Sequence, residues 1–510
     1  MDVYVTFQLY EPDELSTAYA LCKKFLTTHY SQLTTIMYLC TAMFKEFLLH
    51  KVFGIIHQRA VEKALRCYVV GGYVRDIILE RPSWDVDIVV EGDGIELAEY
   101  VASQLKPRPK VSVFKNFGTA HFVYDDTEWE FVGARSESYS RGSRNPEVMP
   151  ATIEEDMLRR DFTINAMAVS LGADFGELLD MFGGQTDLQK GLIRTPRDPQ
   201  ITFSDDPLRM LRAVRFASRF GFEIAKEAFS SIKENISRIG IIAPERISEE
   251  LNKMLMHKKP SAGFFLLDKC DLLQPILPEL FALKGVESMH GVMHKENFTH
   301  TLMVVDNVAK VSDSLWLRWA ALLHDIGKAP TKKFDKVRGW TFHGHDAVGQ
   351  RMVLKLFKRL HLPQNEKMHY VAKIVGLHLR PISLVEEGVT DSALRRLIFE
   401  AGDDLDDLLM HAEADITSAN KQKVKLYLSN FSDLRMKLAE TEDNDRIRNF
   451  QPPVSGEEIM EVFGIEPSRE VGLIKNAIKD AILDGEIHNN REEAWQLMLD
   501  QGKKLGLKPV

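Results

Sequence analysis

The 510-residue chain is expected to be an α+β protein, with a mixed-sheet head followed by helices alone. Three observations predict this. Residues 67–90, CYVVGGYVRDIILERPSWDVDIVV, run from a short apolar stretch through two glycines into a helical segment and a second apolar stretch: strand, turn, helix, strand. The alternating runs VSVFKNFGTAHFVY and WEFVGAR read as antiparallel strands. From residue 203 onward the apolar spacing is almost entirely helical. Several domains are expected, because single cores rarely outgrow roughly 250–300 residues.

Composition narrows the function. Hydrophobic content of 45% and charged content of 27% are those of an ordinary globular protein. A net charge of −9 repels a polyanion, so a nucleic-acid partner needs a local basic face and metal ions. Cys22, Cys40, Cys67 and Cys270 form no CxxC pair, which points to reduced thiols and a cytoplasmic location. The opening MDVYVTFQLYEPDE is acidic where a signal peptide is basic, and no apolar run reaches the roughly 18–20 residues of a membrane span. Residues 1–42 have no clear relation to the rest of the chain and are set apart as an N-terminal extension of uncertain role. Met43 opens an amphipathic helical pattern that leads into the first strand.

The chemistry starts at the glycine turn. Asp85 and Asp87 are i and i+2 on a strand, so both carboxylates point to one face. Beside a Gly71-Gly72 turn, such a pair suits the metal-bound triphosphate of a nucleotide, since Mg²⁺ takes oxygen ligands and leaves room for phosphates. A helix is expected from about Ile95 to Leu105 and a Pro-rich break at 106–110. Glu130, between Trp129 and Phe131, projects from one face of its strand and is a candidate third carboxylate. Residues 136–152 are polar and bear Gly, Pro and Ser, and are read as a mobile loop. In RRDFTINAMAVSL, Asp161 or Thr163 is expected to cap a helix that begins there, with Arg159 and Arg160 at its start for a nucleotide's phosphate or sugar.

FSDDPLRMLRAVRFASRFGF has a cap and Pro207 in its first turn, a helix start. Asp206 and Arg209, at i and i+3, put an acceptor beside a donor fork that matches the Watson–Crick edge of cytosine or adenine and refuses guanine and uracil. The bland alternative is a first-turn salt bridge.

GGYVRD with DVDIVV, then RRDFTINAMA, FGGQTDLQKGLIRTP and DDPLRMLRAVRF, in that order over roughly residues 60–250, resemble the class II tRNA nucleotidyltransferase and bacterial poly(A) polymerase family, whose catalytic head is like that of DNA polymerase beta. The resemblance implies that Asp85 and Asp87 are the catalytic Mg²⁺ ligands and that Gly71 and Gly72 lie against the triphosphate. It implies nucleotide contacts from Arg75, Arg159, Arg160 and Asp161, a base template of Asp206 with Arg209, and weaker contacts from Arg135 and Arg212. The usual Glu-Asp-x-x-Arg stands here as Asp205-Asp206-x-x-Arg209. The implied reaction is in-line attack of an RNA 3′-hydroxyl on an α-phosphate, with pyrophosphate leaving.

A second constellation spans residues 290–420: His300, His324-Asp325, His345, His378 and Asp415. It resembles the HD phosphohydrolase domain. That resemblance implies a divalent metal on His300, His324, Asp325 and Asp415, with His345 and His378 completing or extending the site. The mixed imidazole and carboxylate set suits Mn²⁺, Ni²⁺, Co²⁺ or Mg²⁺. Such domains hydrolyse phosphate esters, including 2′,3′-cyclic phosphates, which would restore the 3′-hydroxyl of a damaged tRNA. Three closing helices are read after a linker at 449–455.

The expected organisation is an extension (1–42), a head (43–195), a helical neck with the base template (196–285), an HD domain (286–430) and a helical tail (431–510). The expected function is addition of CCA to tRNA 3′ ends from CTP and ATP, with no membrane and no obligate protein partner evident. CC-only, A-only and poly(A) addition remain open, because the template accepts both C and A in all of them. A metal phosphohydrolase with a non-catalytic head is a further alternative.

Overall fold

Val69, Val70, Ile88 and Val89 have no solvent exposure, and the strands that carry them lie side by side in a seven-stranded sheet. The computed structural model describes residues 44–115, 118–138, 147–285, 288–289, 292–293, 296–387, 390–417, 420–445, 448 and 450–510. It divides into two compact units, one ending at Ile242 and the other starting at Ala243. Residues 1–42 lie outside the described residues.

In the first unit, α1 (Lys51–Glu62) leads into β1 (Cys67–Val70), α2 (Gly72–Ile78), β2 (Asp85–Val90) and α3 (Gly94–Gln104). Then come β3 (Ser112–Phe114), β4 (Thr119–Tyr124) and β5 (Thr127–Gly133). With β8 (Ala168–Ser170) and β9 (Leu178–Leu179) the sheet order is β3-β4-β5-β2-β1-β8-β9. Only β2 and β5 pair in parallel, so the sheet is mixed, as expected. The parallel register sets Asp85 opposite Glu128 and Asp87 opposite Glu130. Along β5, Trp129 and Phe131 face inward at 1% and 0% exposure, which turns the glutamates to the other face.

Three local expectations fail. The stretch 136–152, read as a loop, pairs as a ribbon of β6 (Arg135–Ser138) with β7 (Glu147–Pro150); residues 139–146 lie outside the described residues. Polar side chains hid the strands because a two-stranded ribbon buries no continuous apolar face. Next, Thr152 opens α4 (Ile153–Leu158) with a capping box to Glu155, so Arg159 and Arg160 follow a helix end and do not start one. Finally, RRDFTINAMAVSL does not become an α-helix: Thr163–Asn165 make a single 3₁₀ turn, and the apolar run continues as β8, paired to β1. A short, fully buried apolar run fits strand or helix equally well by periodicity.

The unit closes with α5 (Gly184–Lys190), α6 (Pro199–Asp205), α7 (Leu208–Phe220), α8 (Lys226–Glu234) and a two-residue parallel pairing of β10 (Leu192–Ile193) with β11 (Glu223–Ile224). In the second unit, α9 (Pro244–Leu255) and α10 (Ser261–Lys269) precede α11 (Asn297–Val311), α12 (Leu315–Leu323), α13 (His345–Arg359), α14 (Glu366–Leu377) and α15 (Leu405–Ala414). A small antiparallel ribbon, β12 (Lys333–Asp335) with β13 (Gly339–Thr341), interrupts the helices. The long α16 (Lys421–Asp445) comes next, then three closing helices, α17 (Gly456–Phe463), α18 (Arg469–Asp484) and α19 (Arg491–Lys504). Ser455 caps α17 through a second capping box with Glu458. Among the described residues no helix is long and apolar enough to cross a membrane.

Candidate active site

In the head, Asp85 is exposed and Asp87 half-buried, side by side on one face of β2. Burial pushes the Asp87 carboxyl up to about 6; nearby Arg160 opposes this, while Asp85, Glu130 and Asp156 add to it. Burial, followed by Glu128, raises Asp85, and burial, followed by Asp85, raises Glu130. Four carboxylates on two adjacent strands therefore crowd one another, and a cation would relieve them. Glu130 stands where the sequence placed it. Glu128 went unnoticed, although the Glu-Trp-Glu alternation in β5 was its signal.

Gly71 takes a φ of +72° at the turn into α2. A Cβ there would sit 2.8 Å from Arg160 Nη1 and 3.5 Å from Asp87 Oδ2, so only glycine lets the backbone pass between them. Its amide donates to Met167 O at 3.2 Å. A Cβ on Gly72 would make only ordinary contact with Arg75, at 3.5 Å.

The two arginines are tied down by a residue that sequence reasoning missed. Asp156, fully buried, accepts from Arg159 at 2.5 Å and 3.0 Å on Oδ1 and from Arg160 at 3.1 Å and 3.3 Å on Oδ2. Burial works against its ionisation, but Arg160 and Arg159 hold it below the usual carboxylate range. Its position three and four residues ahead of the arginines, near the end of α4, was the readable sign. Arg159 Nε also donates to Arg135 O at 3.0 Å, which gathers all three arginines.

Asp161 is buried. Its Oδ1 accepts from Phe162 N at 2.8 Å and Asn165 Nδ2 at 3.0 Å, and its Oδ2 from Arg212 at 2.7 Å and 2.6 Å. Against the cost of burial, Arg212, Asn165 and Arg209 hold the carboxyl down at about 2. Asp161 therefore orients its neighbours and caps no helix. Arg75, expected at the nucleotide, is turned inward: it donates to both oxygens of Asp76 and to Asn165 Oδ1 at 2.6 Å, and lies against Phe216 and Phe220. In the template pair, Asp206 Oδ1 accepts from Leu208 N at 3.1 Å, just ahead of α7, whose N-cap is Pro207. Arg209 is 7% exposed, and its Nη1 is buried with no hydrogen-bond partner among the described residues. A planar donor held in that state is prepared for an acceptor.

The second unit gathers its histidines from four helices. His300 Nε2 lies 2.9 Å from Asp415 Oδ1, and His324 Nε2 lies 3.3 Å from Asp325 Oδ2. His345 and His378 face Asp325 Oδ1 at 3.5 Å and 4.0 Å. All six expected residues thus come together, the histidines and Asp325 being buried. Burial opposes the charge on Asp325 and Asp415, yet facing histidines hold both carboxyls well below the usual range. Burial lowers His300 and takes His378 down to about 4, leaving neutral imidazoles fit to ligate. His411, missed in the sequence, is fully buried against the rings of His324 and His378, with neither ring nitrogen partnered among the described residues. It stands one helical turn before Asp415, which was the available signal.

Comparison with known proteins accords with this geometry. Residues 67–194 match the Poly A polymerase head domain, residues 221–284 the family described as "Probable RNA and SrmB-binding site of polymerase A", and residues 297–407 the HD domain. Over 353 residues the chain is 36% identical to the multifunctional CCA protein of Nitrosomonas europaea, covering 66% of this chain and 81% of that one. The chain belongs to the class II tRNA nucleotidyltransferase and poly(A) polymerase family. Within the family, a tRNA nucleotidyltransferase solved with a primer tRNA and an incoming ATP analog is 27% identical, with a TM-score of 0.50 over 75% of this chain and 99% of that one. A CCA-adding enzyme solved with ATP shares the fold at 22% identity, with a TM-score of 0.58 over 90% of this chain and 97% of that one.

Proposed function

We propose that this chain adds CCA to tRNA 3′ ends from CTP and ATP in its head, and that its HD centre hydrolyses phosphate esters. One observation carries the first activity: a continuous set of contacts joins the carboxylate face to the base template. Asp87 and Arg160 flank Gly71 on either side, Arg160 reaches Asn165 O at 3.5 Å, and Asn165 bonds Asp161, which holds Arg212 on α7 about one turn beyond Arg209. Groups that must act together are thereby held to one framework.

Asp85 and Asp87 would bind Mg²⁺, with Glu130 as a third carboxylate; the oxygen-only donor set and its mutual repulsion fit that ion. Mg²⁺ bound there supplies charge neutralisation and a lowered hydroxyl pKa at the 3′ end. Arg160, with Arg159 and Arg135, would neutralise phosphate charge, Asp156 keeping two of these forks aimed. Asp206 accepts from the exocyclic amine of C or A, and Arg209 Nη1 donates to the adjacent ring acceptor. Asp161, Arg75 and Gly71 are positioning groups, and the small Gly72 lets the chain approach the phosphates. The HD reading is supported by buried, unpartnered His324 Nε2, His345 Nε2 and Asp325 Oδ1, donors that fit a divalent transition metal.

The test is primer extension on tRNA transcripts lacking CCA, ending in C and ending in CC, with each nucleotide alone and combined. Two C followed by one A, and then a stop, is expected. A added only to the CC-ended transcript would reassign the chain as A-adding, CC without A as CC-adding, and long A tails as a poly(A) polymerase.

A further inference from the structure

Charge is distributed unevenly around the HD unit. From Lys328 to His343 the sequence KAPTKKFDKVRGWTFH carries five lysines and arginines against one carboxylate, Asp335, in a chain whose net charge is −9. That carboxylate is committed within the ribbon: Asp335 Oδ1 accepts from Val337 N at 2.8 Å and from Arg338 N at 2.7 Å, which closes the turn between β12 and β13. Lys333, Lys336 and Arg338 are exposed and form no ion pair among the described residues. In the head, by contrast, Arg159, Arg160 and Arg212 are each held by a buried aspartate. The ribbon is a local basic face of the kind a polyanion needs on an acidic protein.

The ribbon also has an aromatic side. Its register sets Phe334 opposite Trp340, so the two half-buried rings share a face, with centroids 5.2 Å apart at an interplanar angle of 75°. Lys332 Nζ lies 4.8 Å from the centre of the Trp340 ring. Rings beside cations suit a single-stranded nucleic acid, in which every base offers a flat face to stack and every linkage a phosphate. Both ends of the ribbon run into the HD centre. β12 follows a short helical turn, Lys328–Thr331, whose Lys328 Nζ donates to Asp325 Oδ2 at 2.6 Å and lies 5.9 Å from the centre of the Phe342 ring. β13 leads to Phe342, whose carbonyl accepts from His345 Nδ1 at 2.9 Å. A ligand held on the ribbon is therefore held beside the HD donors.

We propose that the β12–β13 ribbon binds the single-stranded 3′ end of an RNA, and that the substrate class of the HD centre is the phosphorylated RNA terminus, not a free small phosphate ester. Lys333, Lys336 and Arg338 take backbone phosphates, a base stacks on the Trp340 side, and the terminal phosphate reaches the donors around Asp325. The inference rests on the reading of the HD centre as a phosphate-ester hydrolase and names the substrate of that site.

The test compares one scissile bond in two settings, using the full-length chain with Mn²⁺: cytidine 2′,3′-cyclic phosphate alone, and a short single-stranded RNA ending in the same cyclic phosphate. A higher kcat/KM is expected for the RNA. Lys333→Gln, Lys336→Gln and Arg338→Gln together should lower kcat/KM for the RNA about tenfold or more and leave the mononucleotide unchanged. The log–log salt dependence for the RNA should flatten by about 2, the share of three phosphate contacts on a single strand. Trp340→Ala should cost the RNA roughly 5–100-fold, again without effect on the mononucleotide, and Trp340→Phe should restore much of the loss. An equal change on both substrates, or none on either, overturns the ribbon while the hydrolase stands. No turnover of either substrate by the unsubstituted chain overturns the hydrolase reading. Photocross-linking of an RNA with 4-thiouridine near its 3′ end then decides the ribbon: a cross-link within residues 332–342 is expected, and labelling confined to other parts of the chain overturns it.

Discussion

The two centres of this chain solve opposite problems with related side chains. In the head, Asp85 is exposed, Asp87 is half-buried, and both carboxyl groups are raised, first by burial and then by neighbouring carboxylates, Glu128 for Asp85 and Asp85 with Glu130 for Asp87. Among the described residues, no head trio brings its ligand atoms within 4.8 Å. In the HD unit, buried histidines from four helices, three of them oriented by their second ring nitrogens, are already gathered with Asp325 and Asp415. A site whose substrate brings phosphate oxygens should stay open and under-coordinated until that substrate arrives. A site that must hold ions between turnovers should be complete beforehand.

The strongest way to break this comparison is to disable each centre separately. Asp85→Ala or Asp87→Ala should lower nucleotide addition by about 10³-fold or more and leave Mn²⁺- or Ni²⁺-dependent phosphatase turnover unchanged. His324→Ala with Asp325→Ala should do the reverse. Assays of both activities on both variants decide it, and a loss that crosses from one centre to the other would mean that the activities share a site. Next in size, Arg209→Ala removes a donor worth about 1–3 kcal/mol of base discrimination, so kcat/KM for CTP and ATP should fall roughly 10–100-fold while incorporation of the wrong bases rises. A uniform fall across all four nucleotides would remove Arg209 from the template.

The comparison sharpens with pH. In the proposed head site a bound Mg²⁺ would need the ionised Asp87, whose carboxyl is pushed up to about 6. Metal-nucleotide affinity should therefore rise through pH 6 and fall by up to about tenfold per unit below it. Titration calorimetry at stepped pH would test this, and a flat profile would place the ion elsewhere. The stability signs differ. A raised pKa on Asp87 means the metal-free head loses stability from this group as pH rises from the unfolded value through about 6. Asp161, held at about 2, contributes stability that is present above the unfolded carboxyl pKa and lost as pH falls through 2. The smallest effect is expected from Gly71→Ala, which forces φ of +72° on a residue with a Cβ and costs about 1–2 kcal/mol of stability. Thermal unfolding measures that cost. Wild-type stability with full activity would show that Arg160 and Asp87 can part without consequence.

Much of this was legible in the residues. The strand–turn–helix–strand of 67–90 and the helix starting near Pro207 follow from apolar period, glycines and capping chemistry, all carried by contiguous residues. The same logic misread RRDFTINAMAVSL, because a buried run too short to show its period becomes a strand only when β1 is present to pair with it. It also passed over the Thr152–Glu155 capping box, a signal that was present and would have turned Arg159 and Arg160 from the start of a helix to its end.

What the sequence alone determined is the chemistry available: oxygen donors on one strand, arginine forks, an acceptor beside a donor at a helix start, and imidazoles ordered around a His-Asp doublet. Only the tertiary structure decided how those groups are used. It put Arg75 under two phenylalanines, Asp156 beneath two arginines, Glu128 beside Asp85, His411 against the rings of His324 and His378, and the two oxygens of Asp325 toward different histidines. The reason is physical. Period and capping act between neighbours in the chain, whereas burial, charge crowding and coordination act between residues that only packing brings together.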